Sequence, residues 1–183
     1  MCFHPAQLAY TLNLLDDAVG QYMWLRENLH ATNVATDETF QRTFNRLYQL
    51  RRRLQWRHTF FSILEARKAN PLPFDEALDL LFLIDEHQEA SFASKLVATI
   101  DYNRAVIDKR VLRQAGLRLP LYGVANRRTR IIETYHDLEQ WMSNLRDSEC
   151  GHNAVAAFRQ RFPDANISET KILDFILWKM PDT

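Results

Sequence analysis

The sequence predicts an all-α fold, a compact multi-helix domain, on three observations. Turn-forming residues are scarce, with four glycines and six prolines in 183 residues, too few for a many-stranded sheet. Apolar residues recur every three or four positions, as in Leu8, Leu12, Leu15, Val19 and Tyr22. That spacing places them on one face of a helix. Hydrophobic residues at 46% and aromatics at 11% can fill a core and exclude a disordered chain. A single helical domain over residues 1–183 is expected. Two lobes are the other arrangement this length permits, with the site between 91 and 117.

Each element has its own signal. Pro5 suits the first helical position, and the Leu8 periodicity carries a helix on toward Glu27. Thr36 or Asp37 can cap the next helix, with Glu38 in its first turn and Phe40, Phe44 and Leu47 along it. That helix either continues through Arg51–His58 into Phe60–Ala66 or breaks near His58. Asn70-Pro71-Leu72-Pro73 is the clearest breaker. Phe74–Ile84 reads as an apolar helix with an acidic start, and Asp85–Ala90 as a turn. Two helices follow across Ser91–Leu117. Leu117–Arg130 reads as a basic loop and Glu133–Arg146 as a helix. Cys150-Gly151 interrupts, and His152–Phe162 forms another helix. Ser168 caps a last helix that is apolar nearly all round and so should be buried on both faces.

Charge is distributed unevenly. The net charge is zero, yet Gln41–Lys68 holds eight basic residues and one acid, and Arg104–Arg130 again eight and one. The balancing acids gather in Asp75, Glu76, Asp79, Asp85, Glu86 and Glu89. A neutral chain thus carries two strongly positive segments. Two cysteines, Cys2 and Cys150, offer neither a disulfide framework nor a CxxC metal pair. No signal-peptide pattern opens the sequence, and no apolar run reaches the ~20 residues of a membrane span. The expectation is a cytoplasmic protein with no cofactor, no metal and no membrane partner. Gly-rich phosphate loops, GxSxG, HExxH and EF-hand patterns are missing, which excludes the chemistries they serve.

The stretch Ser91–Leu117 holds the candidate chemistry. Phe92, Leu96 and Ile100 should face the core, with Lys95 one position off that stripe. Asp108 is placed to cap the second helix, and Gly116 to end it. Around Asp108 stand Arg104, Lys109, Arg110 and Arg113. A second basic segment, Arg51–His58, mixes Arg52, Arg53 and Arg57 with Trp56, which suits phosphate contact with stacking. The plainer readings are a solvated helix face, or arginines paired with the acidic Asp75–Glu89 segment.

Two motifs resemble a known family. Ala93-Ser94-Lys95-Leu96-Val97-Ala98 looks like a lysine-bearing segment. Val106-Ile107-Asp108-Lys109-Arg110-Val111, followed by Leu112 and Gly116-Leu117, looks like a Val-Asp-x-x-Val segment opening a helix. In this order they resemble the helix-hairpin-helix DNA glycosylases. Glu89–Asp108 and Ile167–Trp178 also resemble a group of bacterial proteins of unassigned activity. The resemblance implies a glycosylase-like helical fold, duplex DNA as partner, Asp108 as catalytic aspartate and Lys95 as an amine nucleophile. Asp108 would stabilise the cation that develops on the sugar, and Lys95 would form a Schiff base. A base leaving the stack would be received by Phe92, Tyr102 or Trp56. The hairpin glycines are missing. Asp85–Ala90 stands in their place and is acidic, which disfavours phosphate. Beside a DNA glycosylase or glycosylase/lyase stand two other readings, an inactive binding module of the same fold and a helical protein-interaction scaffold.

Overall fold

In a computed structural model, residues 3–181 are described, and among them the chain forms ten helices and no strand. They are α1 (Pro5–Asn13), α2 (Asp16–Asn28), α3 (Glu38–Tyr48), α4 (Leu54–Arg67), α5 (Phe74–Asp85), α6 (Ala90–Ile100), α7 (Lys109–Gln114), α8 (Arg127–Arg146), α9 (Glu149–Arg161) and α10 (Glu169–Lys179). No helix of the described residues is long and apolar enough to cross a membrane. The chain divides into two compact units. The first comprises residues 1–16 and 102–183, the second 17–101.

In the second unit the core is aromatic. Phe40, Phe44, Phe60 and Phe61 are fully buried, and the Phe44 ring lies 5.4 Å from both Phe60 and Phe61. This pairing holds α3 against α4. Asp37 caps α3 as its sequence position predicts, accepting from the Phe40 N–H at 2.8 Å. The helix stops at Gln49, in a left-handed conformation, and restarts only at Leu54, so the arginine run lies between helices rather than inside one. The carboxylate of Glu65 accepts from the Val34 N–H at 2.8 Å and pairs with Lys68 at 2.8 Å. Burial disfavours its charge, but those two partners hold its carboxyl below the ordinary value. Helices α5 and α6 pack on one another across the short 86–89 connection, and both pack on α4.

In the first unit the C-terminal helix is central. α10 packs against α1, α7, α8 and α9, and Ile172, Leu173, Ile176 and Leu177 are fully buried. Its buried face also carries two charges. Lys171 and Asp174 are about 95% buried and pair at 2.6 Å. Ser168 caps the helix, accepting from the Lys171 N–H at 3.3 Å, and its hydroxyl donates to the Tyr102 carbonyl.

Three boundaries differ from expectation. The first helix is two, because the chain turns at Leu14–Leu15 with Leu15 fully buried. α8 begins at Arg127, six residues before Glu133, after a left-handed Asn126. α9 starts at Glu149 under a Ser148 cap, so Cys150-Gly151 sits inside the helix. Gly151 is there because a Cβ would collide with the Leu145 carbonyl. Cys150 is disulfide-bonded, which the spacing of the cysteines did not suggest. Cys2 lies outside the described residues.

The buried pair on α10 sets a stability test. Removing one partner strands a buried charge at a cost of about 3–5 kcal/mol, whereas replacing both with apolar residues is often near neutral. Lys171→Met alone should therefore lower the unfolding free energy by about that amount in chemical denaturation. Lys171→Met with Asp174→Leu should recover most of the loss.

Candidate functional site

The residues singled out in sequence fall into three settings. Asp108 lies in the first unit as the N-cap of α7, and its Oδ1 accepts from the Arg110 N–H at 2.8 Å. It has the extended backbone typical of a cap. Behind it, Val111 and Leu112 are buried, while Lys109, Arg110 and Arg113 are exposed. Gly116 (φ 70°) follows the last turn, where the left-handed region favours glycine. Arg110 donates to the Trp178 carbonyl at 3.1 Å, which ties the start of α7 to the end of α10.

Before α7, Arg104 turns inward. Its Nε pairs with Glu139 on α8 at 2.8 Å, and its guanidinium lies 5.9 Å from the Tyr135 ring centre. The fully buried Tyr135 donates to the Ala105 carbonyl at 3.3 Å. These contacts fasten the 102–108 segment to α8. Tyr102 is half-buried, and its carbonyl receives the Ser168 hydroxyl.

Lys95 belongs to the second unit, on α6. Its ammonium donates to the Tyr48 carbonyl at 3.2 Å and stands 5.0 Å from the Phe92 ring centre. A carbonyl oxygen and an aromatic face are both good partners for an ammonium. Phe92 packs on Trp56 at 5.2 Å between ring centres, and Trp56 stacks on Phe60 at 5.5 Å. Trp56 is buried, and its indole N–H has no acceptor among the described residues.

The arginine run divides. Arg52 pairs with Glu89, lies 4.0 Å from Asp85 and covers the Trp56 and Phe92 rings. Arg53 is exposed and Arg57 half-buried. The acidic turn between α5 and α6 thus binds one of the arginines expected to meet phosphate. The structure gathers Asp108, Lys109, Arg110 and Arg113 around α7 in one unit, and Lys95, Phe92, Trp56 and Arg52 in the other. No cluster of three or more His, Cys, Asp or Glu able to hold a metal is present among the described residues.

Sequence reasoning missed the Arg104–Glu139–Tyr135 group. Arg104 lies 31 and 35 positions before Tyr135 and Glu139, and only the helical phase shared by Tyr135 and Glu139 hinted that those two face one way. Compared with known protein families, curated proteins and solved structures, the chain matches none.

Two predictions separate local structure from chemistry here. Losing a capping side chain costs about 0.5–2 kcal/mol, whereas Asn caps as well as Asp. Asp108→Ala should therefore destabilise by about 1 kcal/mol in denaturant titration, and Asp108→Asn should unfold like wild type. Burial first, and the Glu139 charge second, push the Tyr135 phenol well above its ordinary value, outweighing the opposing Arg104. A value raised in the folded state means that stability is full below an unfolded pKa of about 10 and is lost as pH rises through the folded value. In an alkaline ultraviolet titration, Tyr135→Phe should leave the folded-state phenolate signal near pH 11 unchanged.

Proposed function

We propose that the chain binds duplex DNA through the α7 edge, as a protein of the base-excision type. The observation that carries this is the set of exposed side chains Lys109, Arg110 and Arg113 behind a capped, buried-faced helix. Cations at these positions would meet phosphates in a fixed register, because the Asp108 cap and the Arg110–Trp178 bond hold the helix start. No acid stands between Asp108 and Glu133, so the edge continues into a basic loop. In chain order, the lysine-bearing α6 precedes the Asp108-capped α7, the order on which the resemblance to the glycosylases rests.

Within this reading Asp108 is the carboxylate for glycosidic bond cleavage and Lys95 the amine of the lyase variant. The inactive binding module is the second reading, and it too has an observation in its favour. The Lys95 ammonium is engaged by Tyr48 and Phe92, contacts that an attacking amine must leave.

Fluorescence anisotropy with a labelled duplex tests the binding. Three phosphate contacts give a slope of about −3 for log affinity against log salt. Replacing Lys109, Arg110 and Arg113 by alanine should remove most of the binding, each single change reducing the slope by about 1. Absence of binding at low salt refutes the proposal. Borohydride trapping on abasic DNA then separates the two readings. An adduct that Lys95→Ala abolishes supports the lyase, and base release that Asp108→Asn abolishes supports a glycosylase.

A further inference from the structure

Each unit exposes an apolar patch set among charges of one dominant sign. In the second unit, Asp75, Asp79, Phe82 and Glu86 follow one another at intervals of three or four along α5 and its cap, with Leu83 four positions after Asp79. They therefore share one face. Leu83 is 79% exposed and Phe82 39%, and Asp79 and Glu86 are exposed on either side of them. In the first unit, the loop before α8 raises Leu121 and Tyr122 to 78% and 75% exposure. Arg127 covers the Tyr122 ring at 4.3 Å, which holds that aromatic in place. Leu121 and Val124 line a cleft of about 460 Å³ together with Arg118 and Arg130.

The same cleft also holds Glu133 and Asp137. Against these two acids the loop and the first turn of α8 set Arg118, Arg127, Arg128 and Arg130, so this surface keeps a net positive charge. Large exposed aliphatic and aromatic side chains grouped with charge of one sign mark interaction sites better than scattered ones do. The two patches complement each other in both respects. Apolar side chains stand at the centre of each, with acids flanking one and arginines flanking the other, the arrangement that gives an interface its register. A chain with zero net charge has no overall repulsion to keep its copies apart.

We propose that this chain associates with a second copy of itself, the acidic α5 face of one seated on the basic 118–130 surface of the other. Leu83 and Phe82 would enter the cleft beside Leu121 and Val124, with Asp79 and Glu86 opposite Arg118 and Arg130. Because the two surfaces differ, the contact is heterologous in its patches, and breaking either one abolishes it. The α7 cations Lys109, Arg110 and Arg113 take no part, although the 118–130 loop continues the same basic edge, so a copy seated there would cover that part of it.

Sedimentation velocity on the full chain, with circular dichroism to confirm folding, provides the test. Wild type should show concentration-dependent association at low salt that weakens at high salt. Glu86→Arg and Arg130→Glu should each be folded and monomeric. Their equimolar mixture should form dimers and nothing larger, because the intact acidic face of Arg130→Glu meets the intact basic surface of Glu86→Arg. Leu83→Ser should be monomeric at every salt concentration. A monomeric wild type at high concentration and low salt overturns the proposal, as does either charge variant associating alone or a mixture that stays monomeric.

Discussion

The first unit depends on burying α10. Four helices pack around it, and its apolar residues occur on nearly every face. A helix so placed has no solvated side on which to set polar residues, yet it brings Lys171 and Asp174 inside. At 2.6 Å and almost without solvent, each of these charges offsets much of the cost of burying the other. The pair limits how α10 can rotate, because turning it away from its present phase would separate two buried charges from their surroundings. The neighbouring helices are thereby fixed as well. α7 is bound to α10 through Arg110 and the Trp178 carbonyl, and α9 through the pair of Arg159 with Glu169. The orientation of the basic α7 edge follows from the burial of a helix sixty residues further along.

The elements legible in sequence were those defined locally. Asp37, Asp108 and Ser168 each cap the helix they were expected to cap, because a cap is a matter of three or four consecutive residues. The apolar character of α10 likewise announced its burial. Features set by partners distant in sequence were not legible. Leu15 continues the helical spacing of Leu8 and Leu12, yet the chain turns there and buries it. Periodicity cannot tell one long helix from two that keep phase across a kink. Cys150-Gly151 read as a break, but the glycine serves a close approach to the Leu145 carbonyl within a helix. Only the packed structure reveals that use.

The basic segments show the same division. Counting charges found both, but it could not apportion them between solvent and acids. Arg52 and Arg104 are drawn inward to Glu89 and Glu139, where they hold the structure together. Lys109, Arg110 and Arg113 stay outside. α7 presents apolar Val111 and Leu112 to the unit and carries these three cations on its exposed side. The acidic turn between α5 and α6 is partly neutralised by Arg52, which engages an arginine that sequence alone had turned toward phosphate.

The cap role of Asp108 and a chemical role are compatible. A carboxylate has about four acceptor positions, and a capping bond occupies one of them. The observed bond runs from the Arg110 N–H to Oδ1, so the cap also orients the second oxygen relative to the α7 axis. A carboxylate meant to act on a sugar needs such fixing, since a freely rotating group would have to be ordered during the reaction. Lys95 is placed differently. Its nitrogen is itself the group that would react, and the Tyr48 carbonyl already takes one of its donors. Of the two side chains, the aspartate can serve structure and chemistry together, whereas the lysine must give up one to perform the other.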